Sequence, residues 1–330
     1  MVKIAIIGGA GNVGREVIDA LLSRNKHEII ILSRKIQDAP EKEVAPGVKW
    51  FQSNYESVDE LVKVFEGVHT VLSFISVPAG DKTAWPAQKN LIDAAIKAGV
   101  KRFAPSEWSS SKLEYLPWYD FKKETRKYLA EINKDKKAIE YTLFQYGWFT
   151  NYMTYPYKSS KHITMFETPI NFGACRATLV DDGDALVTLT TVQDAAKVTA
   201  LAIEYEGEWP LLSGIRGSYM TMNELVALGE KIRGKPFTVE KLKTKDILAG
   251  ELKTSWIPKM DHPSIPVEVR EELAAFYWKG CLLAFGDSAF HVSDEWNKLL
   301  PDYKFTQPEE FLTEAWAKID AGEEEVFQDY

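Results

Sequence analysis

Cysteine is scarce in this chain of 330 residues: Cys175 and Cys281 stand far apart, and no Cys-x-x-Cys pair occurs. A disulfide framework and a thiolate zinc site are therefore excluded as organising features, and a reducing cytoplasm is the expected setting. Histidine is scarce as well, with His27, His69, His162, His262 and His291 scattered and without metal-ligand spacing, so no metal is expected. No apolar stretch reaches the ~18 to 20 residues a membrane helix needs, and no basic leader precedes the first apolar run, so neither a span nor a membrane partner is expected. Positive charge is in deficit, 40 Lys and Arg against 48 Asp and Glu for a net −8, which argues against nucleic acid as a partner. Internal repeats, low-complexity tracts and Pro/Ser-rich linkers are also missing. What remains is a chain that is 45% hydrophobic and 12% aromatic, enough for a full globular core in one large domain or two unequal ones.

The first segment, "VKIAIIGGAGNVGREVIDALLSR", joins a near-continuous apolar strand to an amphipathic helix through Gly8, Gly11 and Gly14. Such a strand suits a parallel sheet covered on both faces. Glycines at the joint let the chain turn sharply, let a pyrophosphate approach the backbone, and let the helix pack closely on the strand. The helix start at Asn12 and Val13 then offers free amides to an anion. Dinucleotide binding by Gly8, Gly11, Asn12, Val13 and Gly14 is the expectation, although the spacing is G-x-x-G-x-x-G. The next strand, "EIIILSR", closes on Ser33, Arg34 and Lys35, where an NAD site places an acid on the ribose. Cations there fit a 2′-phosphate and select NADPH/NADP; Lys42 reads as a surface lysine.

Strands and helices then alternate through "VKWFQ", "VDELVKVFEG", "HTVLSFIS", "WPAQKNLIDAAIKAG" and "VKRFAPSEW". This rhythm predicts an α/β, Rossmann-type doubly wound parallel sheet. Ligands of such sheets lie across the carboxyl ends of the strands. Ser73, Phe74, Ile75, Ser76, Pro105 and Ser106 are thereby expected beside the cofactor, and Glu107 and Trp108 beside the substrate. Residues 1–150 read as the NADP-binding domain. Residues 151–330 read as a smaller α+β substrate-covering region, with strands returning to the main sheet.

"YDFKKETRKYL", residues 119 to 129, offers two lysines. Tyr119 and Lys123 have the Tyr-x-x-x-Lys spacing of a short-chain dehydrogenase dyad, whereas Lys122 is followed by Arg126 four residues on. With residues 118–132 treated as one helix, Trp118, Phe121, Thr125, Tyr128, Leu129 and Ile132 form an apolar stripe. Lys123 then points about 170° and Tyr119 about 130° from its centre, toward water, and Lys122 about 70° off, on its shoulder. A shoulder lysine reaches toward the strand ends or simply snorkels over the core.

The combination "GGAGNVG", "SRK", "KRFAPSEW" and "FKKETRKYL" resembles the isoflavone reductase-like and NmrA-like proteins, an atypical group of short-chain dehydrogenase relatives, in segment order over essentially the whole chain. The resemblance implies an NADPH-dependent reductase of a small aromatic or conjugated molecule of secondary-metabolite type. It places the family's lysine on Lys122 as general acid/base and the family's arginine on Arg126. A partly desolvated lysine beside a second cation suits proton transfer near neutrality. Trp108 and Ser109 depart from the Phe and Gly of the plant pattern, so substrate identity does not carry over. Two other readings stand: a non-redox isomerase, dehydratase or rearrangement enzyme using Lys122 or Glu107, and a non-catalytic NADP(H) sensor that binds a regulatory protein.

In the second half, "YGWFTNYMTYPYK" follows a strand's carboxyl end and packs six aromatics into twelve residues. Core packing is one reading. A pocket wall for a flat ligand is the other, with Tyr146, Trp148, Phe149 and Tyr152 as candidates. "TMNELVALGEKIRGKP" predicts a helix capped by Thr221 and Glu224 and ended at Gly234. "HITMF" reads as a strand, and "DDGDALVTL" as a hairpin turn that accounts for Asp181, Asp182 and Asp184 without a metal. The protein is expected to be a monomer or homodimer.

Overall fold

The computed structural model describes residues 1–34, 41–76, 81–260 and 267–326. Its centre is a seven-stranded sheet: β1 (Lys3–Ile7), β2 (Glu28–Ser33), β3 (Glu41–Ala45), β4 (Val48–Gln52), β5 (Thr70–Ser73), β6 (Arg102–Ala104) and β7 (Glu140–Tyr141), in the order β3-β4-β2-β1-β5-β6-β7. All neighbours are parallel except β3, which pairs antiparallel to β4. Order reverses between β2 and β5 on either side of β1, and that switch point is where a crevice opens at the strands' carboxyl ends.

Period-two alternation makes each strand serve two cores. Ile4 and Ile6 face the layer built on α1 (Asn12–Ser23), while Ala5 and Ile7 face the opposite layer. That opposite layer holds α2 (Val58–Val64), α3 (Ala84–Lys97) and α4 (Asp120–Ile132). Beyond Thr142 the seventh strand continues as β8 (Leu143–Gln145), followed by β9 (Trp148–Phe149). These two strands lead into the second half.

There the strands are β10 (Ile170–Asn171), β11 (Arg176–Val180), β12 (Leu186–Thr190), β13 (Leu212–Gly214), β14 (Ser218–Thr221) and β15 (Thr238–Leu242). The helices are α5 (Val192–Glu204), α6 (Met222–Arg233), α7 (Thr244–Leu248), α8 (Arg270–Gly286), α9 (Glu295–Leu299) and α10 (Pro308–Asp320). Helix α5 packs beside α1, and β13 pairs parallel with β8, so the chain crosses back onto the first half. A separate core, centred on Trp278, Phe172 and Leu312, lies among β10–β12, α6, α8 and α10.

The reading of α6 matches in detail. Thr221 Oγ1 accepts from the Glu224 amide at 3.1 Å, Glu224 Oε2 accepts from the Thr221 amide at 2.7 Å, and Gly234 closes the helix with φ +67. Elsewhere the structure differs. "HITMF" forms no strand; the amides of His162 and Ile163 donate to the Glu16 carboxylate of α1 at 2.8 and 3.3 Å, so a side chain replaces the strand partner. "DDGDALVTL" is a corner rather than a hairpin, because β11 and β12 belong to different sheets. Its carboxylates are held locally: Asp181 by Thr244, Asp182 by the Asp184 amide, and Asp184 by Asn223. The hairpin of β3 with β4 turns on Pro46 and Gly47, the latter at φ +73; the Pro-Gly pair is its sequence signal.

Candidate active site

The glycine turn has two positions where a side chain would collide with backbone. Gly8 has φ +72, and a Cβ there would lie 2.9 Å from the Phe74 carbonyl oxygen; at Gly14 it would lie 3.0 Å from the Gly8 oxygen. Gly11 is the residue before α1 and donates its amide to Gly8 O at 2.9 Å. No side chain caps α1, and its first turn carries no acid. The amides at Asn12, Val13 and Gly14 thus keep the anion-attracting character of an open helix start. Gly9, which sequence reasoning passed over, is needed for packing: a Cβ would come within 3.0 Å of both Ile18 and Ile31.

At the end of β2, Ser33 is buried and Arg34 is exposed, within electrostatic reach of Tyr55 and Asp81. Tyr55, also missed in the sequence, is buried with φ +65 and donates its hydroxyl to Leu32 O at 3.2 Å. Lys35 lies outside the described residues, and only the backbone of Lys42, in β3, is described.

The ends of β5 and β6 are locked together by Gln88 of α3, a residue that sequence reasoning did not single out. Its Oε1 accepts from Ser73 Oγ at 2.9 Å and from the Ser106 amide at 3.3 Å, while its buried Nε2 has no partner. Ser106 Oγ donates to Ile75 O at 2.7 Å, and the Phe74 amide to Ile7 O at 2.8 Å. Pro105 and Ile75 are buried, and Ser76 is exposed.

Trp108 is brought to φ +53 and turned inward. Its indole stacks between Phe74 (4.2 Å) and Phe144 (5.2 Å), and its Nε1 donates to Ser73 O at 2.6 Å. Here the structure differs from the expectation of a substrate wall, because the indole fills the layer between sheet and helices. Tyr146 is equally interior, fully buried and hydrogen-bonded to Thr199 Oγ1 at 2.7 Å. Trp148 is packed edge-on to Phe285 and Phe290 in the second core. Phe149 is buried beside Tyr146, whereas Tyr152 keeps partial exposure next to Phe166 at 4.3 Å.

Glu107 ties the β6 end to α4. Its carboxylate accepts from Arg126 Nε at 2.9 Å and Nη2 at 2.6 Å, a two-point contact in which Glu107 is buried and Arg126 partly exposed. Its carbonyl oxygen accepts from Lys122 Nζ at 2.6 Å. Both acceptor groups of Glu107 are therefore engaged within the protein, and the residue expected at the substrate instead organises the two cations. Lys122 is only 5% exposed. Burial pulls its pKa down to about 7, with the Glu107 carboxylate opposing and Arg126 adding to the fall.

The apolar stripe of α4 is buried at Thr125 and Leu129, and Lys123 is exposed and paired with Asp120 at 2.9 Å. Tyr119 does not face water. The helix begins only at Asp120, after a 3-10 turn over Pro117–Tyr119, so the 100° step that aimed Tyr119 outward does not apply. Its ring instead lies over Lys122, and burial pushes its phenol up to about 12.

A doubly wound sheet with a glycine turn at its switch point, and a buried lysine at the carboxyl end of β6, defines a Rossmann-type fold with a smaller additional region. Its NmrA-like family membership follows from a match over residues 2–312, and the chain belongs to that family. It is 29% identical to oxidoreductase BOA1 of Botryotinia fuckeliana over 71% of this chain and 77% of that one. Among solved structures, NADPH-dependent quinone oxidoreductase QOR2 of Escherichia coli, complexed with NADPH, shares the fold with TM-score 0.65 at 23% identity, over 94% of this chain and 98% of that one. AtPrR2 with NADP+ and (+)pinoresinol does so with TM-score 0.64, likewise at 23% identity and over 94% and 98%.

Proposed function

We propose that the protein is an NADPH-dependent reductase of a small aromatic or conjugated substrate, with Lys122 as the proton-transfer group. The observation that carries this reading is a single lysine, buried and poised near neutrality, at the carboxyl ends of a dinucleotide-type sheet. An ammonium with a pKa near the working pH exchanges its proton at least cost in either direction.

The residues fit the coenzyme. Gly8 and Gly14 let the turn close tightly against the Phe74 and Gly8 backbone, the start of α1 is uncapped, and a buried Gln88 amide lacks a partner. The amides at Asn12, Val13 and Gly14 would hold the pyrophosphate, with Gly11 shaping the turn before them, and Ser33, Arg34 and Lys35 the 2′-phosphate. Ser73 to Ser76 and Pro105 to Ser106 would border the ring. When bound, the nicotinamide supplies the hydride. Lys122 then delivers a proton to the substrate oxygen, and Glu107 with Arg126 keeps the amine in place.

The fungal oxidoreductase supports a redox reaction, and the quinone and pinoresinol named for the two similar solved proteins are molecules of the proposed class. Of the aromatics, Tyr152 and Phe149 remain the candidates for the substrate side. Among the described residues no helix is long and apolar enough to cross a membrane; the proposed setting is the cytoplasm, as monomer or homodimer. The test is a calorimetric comparison of NADPH with NADH, then a quinone and lignan panel with and without NADPH. Tighter NADPH binding and coenzyme-dependent turnover lost in Lys122→Met support the reading. Product formed without coenzyme would favour a non-redox rearrangement instead.

A further inference from the structure

Tyr119 is half-buried and makes an unusual contact for a residue three places before a lysine. The 3-10 turn of Pro117–Tyr119 is anchored by buried Leu116, whose carbonyl accepts the Tyr119 amide at 2.8 Å. This turn swings the ring back over the start of α4. Lys122 Nζ then sits 3.5 Å from the centroid of the Tyr119 ring and 6.0 Å from that of Phe121. In the ordinary short-chain dehydrogenase dyad the tyrosine hydroxyl does the work; here the ring face meets the lysine, and the hydroxyl lies on the Ser109 side.

The ring is braced from behind. Trp118 meets its edge at 6.0 Å and stacks on Tyr277 of α8 at 4.6 Å. Helix α8 comes this close because Gly280 lacks a side chain; a Cβ would fall 2.9 Å from the Trp118 ring and 2.5 Å from the Tyr115 carbonyl oxygen.

We propose that Tyr119 is a positioning residue for Lys122, its ring face holding the ammonium against the Glu107 carbonyl at the carboxyl end of β6. A buried ammonium needs compensation from every side. The carbonyl gives one hydrogen bond, and the ring quadrupole supplies attraction where the described residues place no second acceptor. The charged groups acting on Lys122 are the Glu107 carboxylate, already engaged by Arg126, and Arg126 itself. Tyr152 and, across from α8, Tyr277 and Cys281 also lie around Tyr119; burial pushes all three upward, so they are neutral at ordinary pH. The ring is therefore an attractive partner that can be weakened without changing any charge.

The inference deepens the reading of Lys122 as the proton-transfer group, but its test uses the protein alone. The 15N shift of Lys122 Nζ is titrated by NMR, its signal assigned by loss in Lys122→Met. Tyr119→Phe should leave the midpoint in place. Replacing Tyr119 with difluoro- and then trifluorophenylalanine, which keeps the ring's shape and drains its face of charge, should lower the midpoint stepwise, by about one pH unit in total. Tyr119→Leu should reproduce the full fall. A midpoint that ignores fluorination overturns the proposal, and so does a fall already complete in Tyr119→Phe, which would move the role to the hydroxyl and Ser109. Since neither substrate nor NADPH is present, these outcomes are independent of whether the protein proves to be a reductase.

Discussion

The glycine turn and the Lys122 corner lie at the same end of one sheet and are built in opposite ways. The turn is made of backbone: amides at a helix start, and bare Cα atoms that other backbone approaches too closely for a side chain to fit. The corner is made of side chains drawn from three separate stretches, 107–109, 119–126 and 277–281, packed until a charge is almost closed off from water. One half needs shape and tolerates little added bulk; the other needs balanced charge and tolerates little change of polarity. Substitutions should therefore separate the two halves cleanly.

The largest effect is expected from Lys122→Met, which should cut coenzyme-dependent turnover by about 10² to 10⁴ while leaving NADPH binding near its wild-type value. The same variant should be more stable. The folded state holds the Lys122 proton less tightly than the unfolded chain, whose lysine stays near 10.5. Wild-type stability from this group therefore falls as pH drops from 10.5, and the loss is complete below about 7. Urea unfolding should show a gain for Lys122→Met of about 1 to 3 kcal/mol at pH 6, with a smaller gain at pH 9. An equal gain at both values would contradict the lowered pKa.

Gly8→Ala attacks the other half. The positive φ and the 2.9 Å approach to the Phe74 oxygen should cost about 1 to 2 kcal/mol of stability and weaken NADPH roughly tenfold. The Lys122 titration should not move. Calorimetry and the NMR midpoint, measured on one preparation, check both.

Glu107→Gln sits between the halves. It leaves Arg126 without its carboxylate, at a cost of about 1 to 3 kcal/mol, reduced because Arg126 is partly exposed. The carboxylate favours the ammonium, so its loss should carry the Lys122 midpoint below 7. Chemical denaturation and the same titration read the two effects. The smallest change is expected from Arg34→Ala: stability unaltered, NADPH weakened by about tenfold, and NADH unaffected in paired binding assays.

This contrast also explains what could be read from the amino-acid order. Gly8, Gly11 and Gly14 were legible because a turn is decided within a few residues, and the same holds for the Thr221, Glu224 and Gly234 limits of α6. The stripe of α4 correctly separated the exposed Lys123 from Lys122. Tyr119 was misplaced because Pro117 starts a tighter turn, which breaks the helical count one residue before it begins. Trp108 and Tyr146 were given to the pocket because nothing local shows that Phe74, Phe144 and Thr199 arrive from other segments to enclose them. Gln88 was overlooked for the same reason: a glutamine in an amphipathic helix carries no mark of two strand ends meeting at its amide.

A crystal structure of the protein with NADP+ tests the central claim most directly. The account predicts the pyrophosphate on the start of α1, the 2′-phosphate at Arg34, and the nicotinamide beside Ser106 with its reactive face open toward Lys122. A coenzyme seated away from the glycine turn, or a ring separated from Lys122 by the packed Trp108 layer, would contradict it.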